Sequence, residues 1–261
     1  MRYEIGVVVP TYNCSPTLDS TLLSLRCQGG VDIEIIVVDS GSTDDTLGIC
    51  ERWKVKVVYE PPGNMYRAIN KGMGLLQAKW ISYLNGDDYV FLDSYKRLIG
   101  LGEAENADVV YGNCDYIDRG GRFLYSVRAV PISLLKRLSL QSGVMGFAQS
   151  AAIFRAVAYE ELSKFDEGYR FVADFAFFSK AIAAGKRFSR LSGPAVCAFR
   201  IHGDQLSARH REPMRKEVDE VMGIENWKRR ARGTTALIGW RLLNIDHYLM
   251  RLARINRVGT I

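Results

Sequence analysis

The sequence has few cysteines, few histidines and no long apolar run. Its 261 residues include five cysteines, an odd number without a CxxC pair, and only three histidines. No window approaches the eighteen consecutive apolar residues of a membrane-spanning helix. The first residues also lack the basic segment and cleavage site of a signal peptide. These absences argue against a zinc site and a disulfide framework, and we expect a cytoplasmic protein with reduced thiols.

An excess of positive charge is missing from most of the chain. Residues 1–208 contain 23 Lys or Arg and 23 Asp or Glu, so the net charge of +6 lies wholly in residues 209–261. A protein that binds nucleic acid is expected to carry a basic stripe on its folded body. We therefore expect no nucleic-acid partner and recognise a basic C-terminal extension.

Glycine-rich phosphate-binding motifs are absent as well. GxxxxGK[ST] does not occur, and the first apolar run is followed by "PTYNC" rather than GxGxxG. This argues against a P-loop enzyme and against dinucleotide binding.

The first half of the chain alternates between apolar runs and helix-like stretches. The runs are 4–10, 33–39, 55–60 and 80–84, and the stretches are 15–28, 42–53 and 66–78. The runs are continuous, which is typical of parallel strands covered on both faces. This half is predicted to be Rossmann-like α/β. The second half is predicted to add a helix at 174–184 and strands at 108–113, 116–125 (a hairpin), 147–156 and 195–201.

Polar segments follow the four early strands, and ligands of such sheets bind beyond the carboxyl ends of the strands. The fourth segment ends in Asp87 and Asp88, with no Lys or Arg within seven residues of either. Adjacent carboxylates repel each other, and a hard divalent cation that also bridges phosphates would neutralise them. The alternative is that they cap a helix beginning near Tyr89.

Several motifs together resemble the family-2 inverting glycosyltransferases of GT-A fold. They are "VVVPTYN", "IIVVDSGSTDDT", "YRAINKGMGLLQAKWISYLNGDD", "FDEGYRFVADFAFFSKAIAAG" and "RIHGDQLS". The resemblance implies a GT-A domain over residues 1–208. Its Rossmann-like nucleotide-sugar half (1–112) merges with a mixed-sheet acceptor half (113–208), and a helical extension (209–261) follows.

The resemblance also implies roles for individual residues. Tyr12 would stack on the base, Asp39 would accept a hydrogen bond from the uracil N–H, and Asp87 would lie near the ribose and sugar. Asp88 would bind Mg²⁺ or Mn²⁺, and His202 would approach the metal or the diphosphate. The positions implied to bind the nucleotide sugar are Pro10, Thr11, Tyr12, Asn13, Asp39, Arg67, Asn70, Asp87 and His202.

Asp174 matches the acidic residue that acts as general base in the family, although Ala173 stands where relatives often carry another acid. At a helix N-terminus the dipole favours the ionised form of Asp174. The alternative is that Asp174 is only a helix cap.

The leading hypothesis is a metal-dependent inverting glycosyltransferase. It would use a nucleotide sugar, a UDP-sugar in particular, and a saccharide or lipid-linked saccharide acceptor in surface glycan biosynthesis. A sugar-nucleotide pyrophosphorylase is disfavoured because the glycine-rich signature of that class is missing from "PTYNCSPTL". A non-catalytic sugar-nucleotide-binding protein would have no use for the base at Asp174.

The extension carries one apolar stripe at helical spacing, beside the basic segment "KRRAR" (228–232). Trp240 and Tyr248 suit a membrane interface, and three arginines at 251, 254 and 257 lie off the stripe. Two alternatives stay open. The stripe packs on the domain or on a second copy, or it rests on anionic lipid at the inner membrane surface. Its members are Ile238, Leu242, Ile245, Leu249 and Leu252.

Overall fold

The computed structural model describes residues 3–203, 205, 210–223 and 227–255. The strands are β1 (Tyr3–Thr11), β2 (Ile33–Asp39), β3 (Lys56–Tyr59), β4 (Ala78–Tyr83), β5 (Tyr89–Val90), β6 (Val109–Tyr111), β7 (Cys114–Ile117), β8 (Phe123–Val127), β9 (Ala152–Arg155), β10 (Phe188–Arg190) and β11 (Cys197–Arg200). The helices are α1 (Leu18–Arg26), α2 (Thr46–Arg52), α3 (Met65–Met73), α4 (Ser94–Ala104), α5 (Ile132–Ser142), α6 (Ala156–Glu161), α7 (Ala173–Ala183), α8 (Arg211–Met222), α9 (Trp227–Leu243) and α10 (Ile245–Ile255).

Two sheets form the body. The larger has the order β10-β6-β9-β4-β1-β2-β3, and β9 is antiparallel to both of its neighbours while the other pairs are parallel. The smaller has the order β5-β11-β7-β8. A parallel α/β half joined to a mixed-sheet half is the predicted GT-A architecture.

The register of the large sheet brings the predicted strand ends together. Thr11 at the end of β1 lies opposite Asp39 at the end of β2, and Asp39 lies opposite Tyr59 at the end of β3. Because the three strands are parallel and end at the same level, the loops that follow them form one edge of the sheet.

The continuous apolar runs are buried on both faces of the sheet, as predicted. Val8 belongs to the core cluster on one face, whereas Val7 and Val9 belong to the cluster on the other. Helix α3 lies so close to the sheet that a Cβ on Gly72 would come within 2.7 Å of Val8 and 2.9 Å of Val38. This close approach fixes α3, which carries residues of the site.

The predicted early strands and helices are present, with ends shifted by a few residues. The structure contradicts a helix near Tyr89, because β5 occupies that position and pairs with β11. Within the described residues, no helix combines the length and the apolar content that crossing a bilayer requires.

The helical extension is present, and each of its described helices contacts the body. Helix α8 contacts α7, α9 packs along α5, and α10 packs on β8. The proposed boundary between residues 208 and 209 lies outside the described residues.

Candidate active site

The carboxylate of Asp39 is 3% exposed and holds the loop that follows β2. Its Oδ1 accepts hydrogen bonds from Thr11 Oγ1 at 3.0 Å and Ser42 Oγ at 2.5 Å, and its Oδ2 accepts from the N–H groups of Gly41 and Ser42, both at 2.9 Å. Four donors use the whole accepting capacity of a carboxylate. A nucleobase N–H could therefore bond to Asp39 only by replacing one of these donors.

Two exposed tyrosines lie at the strand ends on either side of Asp39. Tyr12 is 60% exposed and Tyr59 is 58% exposed. Between Tyr12 and the β2 loop, the Asn13 side chain accepts a hydrogen bond from the N–H of Thr43 at 2.8 Å. Asn13 also has a left-handed backbone (φ 52°). Pro10 is half-buried, one residue inside the edge. The residues predicted to line the nucleoside pocket thus share one edge with Tyr59, which the sequence did not suggest.

Arg67 projects from α3 toward the end of β3. Its Nε lies 2.5 Å from Glu60 Oε1, and Lys71 Nζ lies 3.0 Å from Glu60 Oε2. The two cations hold the pKa of Glu60 below its ordinary value, with Lys71 contributing most. The Arg67 side chain is 43% exposed at the edge of the site, where it forms an ion pair with Glu60.

Asn70 is turned away from the strand ends and braces a loop. Its Nδ2 donates to the carbonyl of Phe165 at 2.9 Å and to Glu167 at 2.8 Å, while its Oδ1 accepts from the Tyr159 hydroxyl. Both ends of the amide have partners within the protein, and a direct contact of Asn70 with the nucleotide sugar stays a prediction. Asn70 positions the segment that leads to α7.

Asp88, the predicted metal ligand, has no exposed surface. Its Oδ1 accepts a hydrogen bond from the backbone N–H of Arg200 at 2.9 Å, and its Oδ2 accepts from Asn85 at 3.3 Å. Burial, together with the adjacent charge of Asp87, raises the pKa of Asp88 well above its ordinary value. Each oxygen of this enclosed carboxyl accepts one hydrogen bond and keeps a further lone pair, so the metal role of Asp88 stays a prediction.

Asp87, unlike Asp88, is partly exposed and faces His202. Its Oδ2 lies 2.8 Å from Nε2 of His202, and the two side chains remain 20% and 19% exposed. Two neighbouring ligands of an octahedral Mg²⁺ ion are about 3.0 Å apart, given metal–oxygen distances of about 2.1 Å. Asp87 Oδ2 and His202 Nε2 lie within hydrogen-bond distance of each other, and their separation is close to that of two such ligands.

Among the described residues, the side chains near Asp87 supply only part of a ligand set. Over the ranges that the structure describes, no group of three or more His, Cys, Asp or Glu side chains could hold a metal ion. Mg²⁺ commonly binds through one or two carboxylates and completes its shell with water and substrate phosphates. Asp87 and His202 fit that pattern.

Arg200 is a buried cation that the sequence reasoning missed. Its Nε donates to the carbonyl of Asp87 at 2.8 Å, and its Nη1 donates to the carbonyl of Arg119 at 2.9 Å. It thereby ties the aspartate loop to the β7–β8 hairpin. A single arginine ending the apolar run "AVCAF" was the available signal.

Asp174 lies in the first turn of α7 between two tyrosines. Tyr66 OH donates to its Oδ1 at 2.8 Å, and Tyr83 OH lies 3.4 Å from its Oδ2. Burial raises the pKa of Asp174 above its ordinary value, whereas the hydrogen bonds that its carboxylate accepts from Tyr66 and from the N–H of Phe175 favour the ionised form. Val172 rather than Asp174 is the N-cap, although Oδ1 of Asp174 accepts a hydrogen bond from the first-turn N–H of Phe175 at 2.8 Å.

Glu217 of α8 holds the segment that enters α7. Its carboxylate accepts hydrogen bonds from three successive N–H groups, those of Arg170, Phe171 and Val172, at 2.9, 2.9 and 3.2 Å. The carbonyl of Phe171 in turn accepts from Tyr66 OH at 3.1 Å. The extension thus supports the position of the candidate base.

A parallel α/β half joined to a mixed sheet is the architecture of the GT-A fold. The family model for glycosyl transferase family 2 matches residues 6–163, and the chain belongs to this family. It is 28% identical over 206 residues to the succinoglycan biosynthesis protein ExoO of Rhizobium meliloti, a match that covers 70% of this chain and 57% of ExoO. The chain therefore spans little more than half the length of that relative.

Two solved structures share the fold. TarS of S. aureus in complex with UDP-GlcNAc superposes with a TM-score of 0.67 at 20% identity, covering 99% of this chain and 76% of that chain. The mannosyltransferase PcManGT of Pyrobaculum calidifontis in complex with GDP-Man and Mn²⁺ gives a TM-score of 0.58 at 18% identity, covering 97% and 81%.

Proposed function

We propose that the chain is a divalent-metal-dependent, inverting glycosyltransferase. It transfers a sugar from a UDP-sugar to a hydroxyl of a saccharide or lipid-linked saccharide in the cytoplasm, within surface glycan biosynthesis. The observation that carries the proposal is the position of Tyr83. This last residue of β4 contacts Asp174 through its hydroxyl and precedes Asp87 by four residues, so base and metal ligand share one strand end.

The nucleoside is assigned to the edge formed by Thr11, Tyr12, Asp39 and Tyr59. An aromatic face there can stack on the base. Asp39 can accept a hydrogen bond from the N–H of uracil once the hydroxyl of Thr11 or Ser42 no longer donates to it. TarS binds UDP-GlcNAc and PcManGT binds GDP-Man on the same fold, which supports a nucleotide sugar as the class of donor.

Asp87 and His202 are assigned to the divalent cation, and Asp88 keeps their loop in place. When bound, such a cation acts as a Lewis acid toward the departing diphosphate. Arg67 lies at the neighbouring strand end. Its positive charge can stabilise the diphosphate if its ion pair with Glu60 opens.

Asp174 is assigned the role of general base. It takes the proton of the acceptor hydroxyl as that oxygen bonds to the anomeric carbon. The bond from this carbon to the diphosphate oxygen breaks at the same time, and the oxygen keeps the electron pair. A base on the face opposite the leaving group gives inversion. A pKa raised by burial makes Asp174 a stronger base than an exposed aspartate.

A donor screen tests the proposal. Release of nucleoside diphosphate would be measured from common sugar nucleotides with Mn²⁺, with Mg²⁺ and with chelator, and the anomeric configuration of any product would be read by NMR. We expect release from a UDP-sugar only with metal, and an inverted product. Nucleotide binding without release, across donors and saccharide acceptors, would instead support a binding protein.

A further inference from the structure

The C-terminal helices α9 and α10 have an inner face that is docked on the body. Ala236 is 3% exposed and Asn244 is 2% exposed. Trp240 Nε1 donates to the carbonyl of Arg128 at 3.0 Å, and Asn244 Oδ1 accepts from the N–H of Arg128 at 2.7 Å. Trp240 is therefore committed to the body, contrary to the expectation that it suits a membrane interface.

Helix α10 is fixed in the same way. The ring of His247 lies against that of Tyr125 with centroids 4.2 Å apart, and Asp246 pairs with Arg128 at 2.6 Å. The inner residues 236, 240, 244 and 247 recur at helical spacing, so the docked face continues from α9 into α10.

Helix α9 also lies so close to α5 that it could not rotate about its own axis without a clash. A Cβ on Gly233 would lie 2.4 Å from Ser142 Oγ and 2.6 Å from the carbonyl carbon of Gln141. A Cβ on Gly239 would lie 3.9 Å from Leu134, so the helices are antiparallel. The opposite face of α9 must point away from the body.

That opposite face is the apolar stripe found in the sequence. We call it the outer stripe, and its described members are 51%, 62%, 54% and 61% exposed: Ile238, Leu242, Ile245 and Leu249. Packing of the stripe on the domain is therefore wrong, since the inner face does this. The side chains of Leu252 and of the arginines at 251, 254 and 257, and those of 228–232, lie outside the described residues.

Charge decides between the remaining partners. From Gly233 to the end, the sequence contains four arginines and a single acid, Asp246, which Arg128 already neutralises. Arg241 is exposed next to Leu242. Two copies joined through the outer stripe would bring two copies of the exposed Arg241 toward each other, whereas an anionic bilayer supplies the opposite charge.

We propose that the outer stripe docks on an anionic lipid bilayer, with α9 and α10 lying flat in the interface. The inner face keeps the helices attached to the body, so docking needs no rearrangement of the fold. The proposal does not depend on the identity of the donor or the acceptor.

Vesicle flotation of the full chain tests the proposal. One set of vesicles is phosphatidylcholine alone and the other also contains phosphatidylglycerol. The stripe variant combines Leu242→Ser, Ile245→Ser and Leu249→Ser. The matched control replaces three exposed apolar residues of the body, Leu23, Leu92 and Val157, which are 51%, 68% and 57% exposed, by serine.

We expect the wild type and the control to float with anionic vesicles, less so at high salt, and much less with neutral ones. The partition coefficient of the stripe variant should fall by about a hundredfold. Thermal melts should match, because the replaced residues are exposed. Equal flotation of the stripe variant, or equal binding to both vesicles, would overturn the proposal. So would a wild-type dimer in sedimentation that the stripe variant abolishes without any vesicle binding.

Discussion

The backbone N–H of Arg200 donates a hydrogen bond to Oδ1 of Asp88 at 2.9 Å, across 112 residues of sequence. The guanidinium group of the same residue bonds to the carbonyl of Asp87. The last residue of β11 therefore holds the loop that contains Asp87 and Asp88 in place. Of the two adjacent carboxylates, this arrangement encloses Asp88 and leaves Asp87 facing His202.

The two aspartates should respond differently to loss of charge. In Asp87→Asn, Mn²⁺ should no longer strengthen UDP binding, and affinity in its presence should fall at least about tenfold, as for other losses at metal sites. In Asp88→Asn the side-chain oxygen can still accept from Arg200, so Mn²⁺ dependence should persist. Titration calorimetry with and without Mn²⁺ measures both. The opposite ranking of the two variants would restore Asp88 as the ligand.

Asp174→Asn should separate binding from turnover. The amide keeps the shape of the side chain but cannot take a proton, so we expect turnover to fall by about a hundredfold or more with unchanged UDP affinity. Asp166→Asn, on the loop before α7, is the matched control and should retain activity. Near-normal turnover in Asp174→Asn would place the base elsewhere.

The raised pKa of Asp174 predicts a pH dependence of stability. Because burial raises this pKa above the ordinary value of 3.8, the folded chain binds the proton more tightly than the unfolded chain. The resulting stability is fully present below about pH 3.8 and is lost as the pH rises through the raised pKa. Thermal melts of wild type and Asp174→Asn should therefore diverge with rising pH, the variant becoming the more stable. Parallel curves would contradict a raised pKa.

Tyr66→Phe should alter the base without altering donor binding. The hydroxyl of Tyr66 favours the ionised form of Asp174, so its loss should raise the pKa further. We expect the acid limb of the pH–rate profile to move to higher pH, a fall in kcat of about tenfold and an unchanged KM for the donor. Tyr95→Phe is the matched control, because this buried tyrosine is not among the groups that hydrogen-bond to Asp174. A shift of the acid limb in both variants, or in neither, would remove Tyr66 from this role.

The sequence predicts the frame of the molecule well because its strands are continuous apolar runs. Strand β2 has the predicted bounds, Ile33–Asp39. Strand β1 extends the predicted run by one residue at each end, and β4 begins two residues before its predicted run and ends one residue before the end of that run. The polar residues that end these runs meet at one edge, since parallel pairing places Thr11 beside Asp39. Periodicity and strand ends are local properties, and local patterns can be read from one sequence.

The detail of the site depends on contacts between distant residues, which local patterns do not contain. Neither aspartate has a Lys or Arg nearby in the sequence, which suggested a metal ion as their counterion. In the fold, Arg200 at the end of β11 bonds to the loop that contains both aspartates. Tyr66 and Tyr83 look like core residues in apolar segments, and only the fold turns both hydroxyls toward Asp174. The stripe of α9 and α10 had the right spacing, but spacing alone cannot say which face is docked.

The hydrogen bonds from three successive backbone N–H groups to Glu217 have a practical consequence for shortening the chain. A fragment that stops at residue 208 would lack α8, and the segment leading into α7 would lose the acceptor for these groups. Such a fragment could retain the nucleotide half and still be inactive for want of a correctly held Asp174. The shortest chain that keeps this support ends after α8, near Gly223. That truncation would also remove the outer stripe.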